Sequence, residues 1–178
     1  MKTKALFLDR DGVINIDKKY VYKQEDFEFC EGIFPLCEFF IQEGFKIFVI
    51  TNQSGIARGY YTEADFAKLS QFMCESFKKQ GIQITKIYHC PHLENCECRK
   101  PKPGMLLKAQ LEFDINMQDS VFIGDNLSDM QAGLAAKIGT LVLLSEDKNI
   151  NNEPTKEYFE ICKNLNLALV FLKKKLKG

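Results

Sequence analysis

Four clusters of polar residues follow short apolar runs in this sequence, and they contain the residue types best suited to chemistry. They are Asp9-Arg10-Asp11-Gly12-Val13, Thr51-Asn52-Gln53-Ser54-Gly55, Cys90-Pro91-His92 with Arg99-Lys100-Pro101, and Gly124-Asp125-Asn126 with Asp129. In an open parallel sheet, ligands bind beyond the carboxyl ends of the strands. If each apolar run is a strand, these groups converge at one edge of the sheet.

Three aspartates in these clusters, Asp9, Asp11 and Asp125, would together form an oxygen-rich site. Carboxylate oxygens are hard ligands, which suit Mg²⁺ rather than zinc or copper. Asp129 is equally well explained as a helix cap or a loop carboxylate. The sequence therefore predicts a magnesium site and leaves the role of Asp129 open.

Cationic and hydroxyl groups in the same clusters suit a phosphate group. Lys100, Arg99 and Thr51 can bind phosphate oxygens, and the glycines Gly12 and Gly55 let backbone amides approach them. A carboxylate beside a metal ion and a phosphate can attack phosphorus to give an aspartyl-phosphate. A second acid two residues along the chain can then serve as general base toward water. These residues predict phosphoryl transfer by covalent catalysis, aided mainly by charge neutralisation.

A second metal site is indicated by Cys90, His92, Cys96 and Cys98, whose spacing is C-x-H-x3-C-x-C. Three thiolates and an imidazole are the tetrahedral set that zinc prefers, and they leave no position open for water. We therefore predict a structural zinc that fixes the loop leading into the cationic residues named above. Unrelated reduced thiols are one alternative. A redox dithiol is another, although Cys96 and Cys98 are separated by one residue rather than the two of thioredoxin-type motifs.

The elements that must position these clusters are short apolar runs alternating with amphipathic stretches. Unbroken apolar runs are typical of strands buried on both faces of a parallel sheet. They cover Ala5–Leu8, Phe45–Ile50, Ile84–Tyr88, Val121–Ile123 and Thr140–Leu144. Helical patterns cover roughly 34–43, 63–80, 103–113 and 126–136, and a polar loop at Glu146–Lys156 precedes a last predicted helix at Glu157–Leu176. This alternation predicts an α/β fold with a mostly parallel sheet and flanking helices.

Length and charge narrow the class of protein. A chain of 178 residues has the size of one domain, so we expect a single domain over 1–178. It has 24 basic and 24 acidic residues, and therefore lacks the basic excess of a general nucleic-acid binder. Its apolar stretches fall short of the ~20 residues that a membrane helix needs, and the start MKTKALFLDRDG is not a signal peptide. We expect a cytoplasmic monomer that binds a small molecule, with neither nucleic acid nor membrane as partner.

The cysteine content fits an intracellular chain. Seven cysteines without a secretion signal argue against a disulfide framework. Outside the C-x-H-x3-C-x-C segment, a cysteine is by default a small buried hydrophobe. The predicted core thiols are Cys30, Cys37, Cys74 and Cys162.

The motifs DRDGV, TNQSG, RKP and GDNLSD resemble the four motifs of the haloacid-dehalogenase-type phosphatases, and they span residues 9–129. With TNQSGIARG, CPH and CxCRKPKPGM, the sequence is similar to the subgroup that acts on D-glycero-D-manno-heptose 1,7-bisphosphate, a close relative of the histidinol-phosphate phosphatases. The resemblance implies a Rossmann-like core with short loop insertions instead of a large cap domain. It also implies a Mg²⁺-dependent phosphatase that removes the 7-phosphate of the sugar in the synthesis of nucleotide-heptose or lipopolysaccharide precursors.

The same resemblance implies roles for individual residues. Asp9 would be the nucleophile, and Asp11 the general acid/base that protonates the leaving sugar oxygen and later activates water. Mg²⁺ would be bound by Asp9, Asp125 and the backbone carbonyl of Asp11. Thr51 would bind the transferring phosphoryl group, and Lys100 would neutralise it and orient Asp9. The residues implied to contact the rest of the substrate are Asn52, Arg58 and Arg99. Family members also carry the Cys/His set.

Two departures from the family leave the substrate open. Only Leu-Glu-Asn separates His92 from Cys96, and this loop borders the substrate in the family. Lys18 and Lys19 stand where relatives often have histidine and glycine, and they could pair with a second phosphate or be solvated loop lysines. The sequence leaves open the anomer of the sugar and histidinol phosphate as the substrate. A zinc-stapled binding module with vestigial acids is the non-enzymatic alternative.

Overall fold

A six-stranded parallel β-sheet carries the fold in the computed structural model, which describes residues 2–147 and 156–178. The strands are β1 (Lys4–Leu8), β2 (Phe45–Asn52), β3 (Ile84–Cys90), β4 (Val121–Gly124), β5 (Thr140–Leu144) and β6 (Glu160–Cys162). Their order is β3-β2-β1-β4-β5-β6, and every neighbouring pair is parallel. This is the strand order of a Rossmann-like, doubly wound sheet, so the predicted fold class is confirmed.

Helices cover both faces of the sheet. They are α1 (Ile33–Gln42), α2 (Glu63–Lys79), α3 (Gly104–Phe113), α4 (Leu127–Ala135) and α5 (Leu165–Lys177). Side chains of α1, α2 and α5 belong to one buried hydrophobic cluster, and those of α3 and α4 to another. Successive residues of β1 divide between them: Leu6 and Leu8 pack in the first cluster, Ala5 and Phe7 in the second. The strands read as unbroken apolar runs because both of their faces are buried.

The C-terminal region differs from the prediction of one helix over Glu157–Leu176. A short 3₁₀ turn at Lys156–Tyr158 leads into β6, which pairs with β5, and α5 begins only at Leu165. Asn164 caps α5 by accepting a hydrogen bond from the Leu167 amide at 3.0 Å. A strand of three residues is too short for a period of two to be distinguished from a helical pattern. Most of the predicted loop at Glu146–Lys156 lies outside the described residues.

The carboxyl edge of the sheet is where the polar clusters meet. β2 and β3 run to Asn52 and Cys90, beyond their predicted ends, so the first polar residues of two clusters belong to the strands themselves. Strand order reverses between β1 and β4, and the Asp9 amide donates to the Ile123 carbonyl at 3.1 Å across this switch point. The reversal opens a crevice in which ligands bind in such sheets.

Two loop connections border this edge of the sheet. Residues 9–32, between β1 and α1, contain a 3₁₀ turn at Gln24–Asp26 and isolated bridges but no α-helix, and residues 91–103 form a loop. Across 2–147 and 156–178, no helix combines the length and the hydropathy that crossing a membrane requires.

Candidate active site

Three carboxylates lie close together at the switch point. One oxygen each from Asp9, Asp125 and Asp129 falls within 4.8 Å of the others. Asp9 follows β1, Asp125 follows β4, and Asp129 lies in the first turn of α4. An all-oxygen set at this spacing fits Mg²⁺. The side chains brought together thus include Asp129, while the Asp11 side chain lines the same cavity but hydrogen-bonds to a different set of residues.

A glycine lets two of these acids approach each other. Gly12 has φ +87°, and a Cβ added there would lie 1.9 Å from Oδ2 of Asp125. The chain after Asp9 therefore passes directly over the Asp125 carboxylate, which no larger residue would permit.

The crowding of acids shows in their pKa values. Burial raises the pKa of Asp9 well above its usual value, and Asp129 and Asp125 raise it further against the opposing effect of Lys100. Burial and the charge of Asp129 also raise the pKa of Asp125 to about 6. Negative charges that repel each other in a partly dry site are stabilised by a bound cation.

Lys100 is the buried cation of this site, with 4% of its surface exposed. Its Nζ lies 2.9 Å from Oδ1 of Asp9 and 2.7 Å from Oδ1 of Asp129, and it donates to the carbonyl of Ile50 at 2.8 Å. Burial alone would lower the pKa of Lys100, but Asp129 and Asp9 more than offset this and raise it. The ammonium therefore stays charged while it holds two carboxylates in place.

Asp129 also supports the loop that carries Asp125. Its Oδ2 accepts a hydrogen bond from the Asn126 amide at 3.1 Å, and the Asn126 side chain in turn accepts from the amide of Ser128. This capping box begins α4. Of the roles that the sequence left open for Asp129, the structure shows the cap and adds the contact with Lys100.

Asn52 holds the backbone of Lys100. Its Oδ1 accepts from the Lys100 amide at 3.1 Å, and its Nδ2 donates to the Lys100 carbonyl at 3.2 Å. Both ends of the side-chain amide are therefore engaged with the protein. Asn52 was expected to contact substrate, and the structure shows it bound to the backbone of Lys100.

Asp11, which is partly buried, and Thr51, which is buried, belong to one polar network. Oδ1 of Asp11 accepts from Nη2 of Arg10 at 2.9 Å and from Nδ2 of Asn15 at 3.0 Å, and Oδ2 accepts from Nε2 of Gln53 at 3.0 Å. The same Nε2 donates to Oγ1 of Thr51 at 2.8 Å. No role was predicted for Arg10, Asn15 or Gln53. Two of them could have been noticed in the sequence, because Arg10 and Gln53 are polar residues that lie inside the motifs DRDGV and TNQSG.

Two cavities that share Asp11, Asp17 and Asn52 open at this edge. The first, of about 590 Å³, contains the acid cluster together with Arg99 and Lys100. The second, of about 490 Å³, is lined by Asp11, Asp17, Lys19, Tyr20, Asn52, Gln53, Ser54 and Tyr61.

The remaining basic candidates separate in space. Lys19 lines the second cavity, whereas Lys18 pairs with Glu28 at 3.0 Å on the surface. Arg99 lines the first cavity and donates to the carbonyl of His92 at 3.3 Å. Arg58 is exposed and lines neither cavity.

The predicted zinc ligands come together as a second cluster. One donor atom each from Cys90, His92, Cys96 and Cys98 lies within 4.8 Å of the others, and Nδ1 of His92 is 3.3 Å from Sγ of Cys98. Four sulfur and nitrogen donors this close fit a tetrahedral zinc. Although burial alone would raise it, hydrogen bonds from the Arg99 backbone and neighbouring thiols lower the pKa of Cys96 to about 7. A thiolate is therefore available near neutral pH.

The other four cysteines are free thiols, as are those of the cluster. Cys37 and Cys162 are buried as predicted. Cys30 and Cys74 are only partly buried and pack at the margin of the first hydrophobic cluster. They contact the core as predicted, but they are more exposed than a core thiol.

Comparisons with known proteins agree on the family. The family model described as polynucleotide kinase 3 phosphatase matches residues 5–158. A Campylobacter jejuni protein named D-glycero-alpha-D-manno-heptose-1,7-bisphosphate 7-phosphatase is 65% identical over 175 residues, which cover 98% of this chain and 99% of the relative. A Helicobacter pylori protein named D-glycero-beta-D-manno-heptose-1,7-bisphosphate 7-phosphatase is 54% identical over 147 residues, covering 81% and 85% of the two chains.

A solved structure supports the same relationship. The crystal structure of D,D-heptose 1,7-bisphosphate phosphatase from B. bronchiseptica, complexed with magnesium and phosphate, superposes with a TM-score of 0.87 at 27% identity and covers 97% of this chain and 99% of that one. Fold and site thus define a phosphoric monoester hydrolase of the haloacid-dehalogenase superfamily. Within it, the chain belongs to the family of the D-glycero-D-manno-heptose-1,7-bisphosphate 7-phosphatases. The resemblance inferred from the motifs is confirmed.

Proposed function

We propose that this chain removes the 7-phosphate of D-glycero-D-manno-heptose 1,7-bisphosphate by way of an aspartyl-phosphate on Asp9. The observation that carries the proposal is the placement of Asp9, which is held by Lys100 at 2.9 Å beside Asp125 and Asp129 in a cavity of about 590 Å³. Its relatives, named as phosphatases of this substrate, match nearly the whole chain.

The first chemical step uses Asp9, Asp11 and two phosphate-binding groups. Oδ1 of Asp9 accepts hydrogen bonds from Lys100 and the Arg10 amide, which leaves Oδ2 to form the new bond to phosphorus. The bond between phosphorus and the sugar oxygen breaks, its electron pair stays on that oxygen, and the oxygen takes a proton from Asp11. The Lys100 ammonium and the Thr51 hydroxyl stabilise the charge on the phosphoryl oxygens.

The second step returns the enzyme to its starting state. Asp11, now ionised, removes a proton from water, which attacks phosphorus and releases Asp9 and inorganic phosphate. Mg²⁺ held by Asp9, Asp125 and the carbonyl of Asp11 would neutralise phosphoryl oxygens throughout. Arg99, which lines the first cavity, would contact the rest of the substrate. A structural zinc on the Cys/His cluster would fix the loop that delivers Arg99 and Lys100.

The covalent step is tested by Asp9→Asn. The amide is a far weaker nucleophile, so we expect phosphate release to fall by about 10³-fold or more. Asp26→Asn, at an exposed position, is the matched control. Phosphate release at the wild-type rate by clean Asp9→Asn protein would refute catalysis by Asp9.

Turnover that is lost with EDTA and restored by Mg²⁺ would exclude a zinc-stapled binding module.

The substrate is tested by a panel that compares kcat/KM for both anomers of the heptose bisphosphate, histidinol phosphate and a 3′-phosphorylated oligonucleotide. We expect the heptose bisphosphates to lead. The α anomer should be preferred, because the relative named for it is more similar than the relative named for the β anomer. Higher kcat/KM for histidinol phosphate would replace the proposed substrate by the nearest alternative, which uses the same catalytic residues.

A further inference from the structure

A buried side-chain amide connects the two groups that act on opposite ends of the breaking bond. Gln53 is 2% exposed. Its Nε2 donates both to Oγ1 of Thr51, at 2.8 Å, and to Oδ2 of Asp11, at 3.0 Å. Its Oε1 accepts a hydrogen bond from the hydroxyl of Tyr61. One amide therefore touches the proposed phosphate ligand and the proposed general acid at the same time.

Tyr61 is itself held in place. Its side chain is 5% exposed, and its ring stacks on that of Tyr22 with centroids 5.4 Å apart and planes at 10°. A Cβ at Gly55 would lie 2.2 Å from the Tyr61 ring, so the glycine makes room for it. Burial raises the pKa of Tyr61 to about 12, and the hydroxyl keeps its proton at neutral pH.

The hydroxyl of Tyr61 fixes the orientation of the Gln53 amide. A donor at Oε1 is satisfied only if the oxygen faces Tyr61 and the nitrogen faces the catalytic groups. The rotated amide would place its oxygen against the Asp11 carboxylate, where two acceptors would meet in a buried site. Such an arrangement costs as much as an unmade buried hydrogen bond.

The orientation of Gln53 determines what Thr51 and Asp11 can do. Because Oγ1 of Thr51 accepts from Gln53, its own proton is free to point toward a phosphoryl oxygen. Oδ1 of Asp11 accepts from two donors, whereas Oδ2 accepts only from Gln53 among the described residues. Oδ2 is therefore the oxygen with a lone pair left for the proton that passes to the leaving group.

We propose that Tyr61 and Gln53 form a hydrogen-bond relay that orients the Thr51 hydroxyl and the Asp11 carboxyl group for phosphoryl transfer. Both are positioning residues, since they act through Thr51 and Asp11. The relay rests on the roles proposed above for those two residues, but it does not depend on which sugar the substrate carries.

The test compares a leaving group that needs a proton with one that does not. An alkyl phosphate leaves as a strongly basic alkoxide and requires the general acid, whereas p-nitrophenyl phosphate leaves as a stable phenolate. kcat/KM reports the steps up to the first phosphoryl transfer, so it isolates Asp11 as an acid from its later role as a base. The alkyl phosphate is whichever member of the substrate panel wild type hydrolyses best.

The variants are Gln53→Met, which keeps length without hydrogen bonds, and Tyr61→Phe, which keeps the stacked ring. Tyr22→Phe removes a hydroxyl from the partner ring and is the matched control. For Gln53→Met we expect kcat/KM to fall about 100-fold for the alkyl ester and about 10-fold for the aryl ester. For Tyr61→Phe we expect losses of about 10-fold and about 3-fold, and no change for the control.

Three outcomes would overturn the relay. The first is an equal loss for both esters, which would indicate a general structural defect. The second is wild-type behaviour of Tyr61→Phe, which would show that Gln53 orients itself without the tyrosine. The third concerns the double variant, in which kcat/KM would fall by the product of the two single losses. If both residues act through one relay, the double variant should lose no more than Gln53→Met alone. If heptose bisphosphate is not hydrolysed at all, only the substrate proposal fails, since the ester comparison can still be made.

Discussion

Lys100 lies between Asp9 and Asp129, and Asp125 completes a group of acids that one ammonium cannot neutralise. Burial is the main reason that the pKa values of Asp9 and Asp125 are raised, and this excess of negative charge raises them further. We expect a divalent cation to relieve this repulsion, which is why the group of acids suits Mg²⁺.

Asp129→Asn tests the ion pair between Asp129 and Lys100. The substitution leaves Lys100 buried with only one carboxylate partner and weakens the cap of α4. We expect it to lower the free energy of unfolding by about 3 kcal/mol and kcat by about tenfold, measured by urea unfolding and phosphate release. Asp26→Asn serves as the control for a change of one surface charge. Wild-type stability of Asp129→Asn would show that the contact with Lys100 contributes nothing.

The pKa of about 6 for Asp125 predicts how magnesium dependence changes with pH. Below pH 6 the metal-free site holds a proton that the cation must displace, so apparent affinity should fall by about tenfold per pH unit. Above pH 7 the carboxylate is already ionised and affinity should level off. Titrating phosphate release with Mg²⁺ between pH 5 and 8 measures this. An apparent affinity that is constant over the range would contradict it.

At the scale of elements, the loop at residues 91–103 delivers two cationic groups to the site from the end of β3. Lys100 is further fixed by Asn52, at the end of β2, while the Cys/His cluster closes the loop on itself. The loop has no helix or strand of its own. Its conformation therefore depends on attachments of this kind, together with the contacts of the Lys100 ammonium.

Removing zinc tests that dependence. We expect about one zinc per chain, and expect its removal to raise KM and lower the melting temperature together, because loop order and metal binding are linked. Metal analysis, kinetics and thermal unfolding before and after chelation, with Mg²⁺ resupplied, measure this. Cys96→Ser should lose the metal, whereas Cys74→Ser, outside the cluster, should retain it. Carefully prepared protein with well under one zinc per chain would refute the site.

On the scale of the whole molecule, a single sheet lies between two hydrophobic clusters. Alternate residues of each inner strand enter opposite clusters, so neither cluster can form without the strands that complete the other. We propose that the chain folds as one cooperative domain for this reason.

Leu36→Ala and Leu106→Ala test cooperativity from the two faces. Both side chains are fully buried, the first on α1 and the second on α3. Each should cost about 2–5 kcal/mol of unfolding free energy, and each should shift the whole transition. Urea unfolding followed by circular dichroism and by tyrosine fluorescence should give the same midpoint in every variant. Separate transitions for the two probes would mean that the faces unfold independently.

The sequence alone determined the fold class and predicted the chemistry. The apolar runs and the helical patterns are long enough to indicate which segments are strands and which are helices. The side-chain chemistry of Asp9, Asp125, Lys100 and the Cys/His set restricts the ligands that they can bind. The prediction failed for β6, because a strand of three residues has no pattern of its own and its existence depends on pairing with β5.

Only the tertiary structure decided how the side chains work together. Asn52 bonds to a residue 48 positions away, and Gln53 to one 42 positions away, so neither partner could be read from local spacing. The hydrogen bonds of Asn52, the two contacts of Asp129 and the relay from Tyr61 all arise from strand order and loop approach. A local pattern records which faces are buried and which groups are polar. A hydrogen bond also requires donor and acceptor to meet within about 3 Å, and that is fixed only when the whole chain is folded.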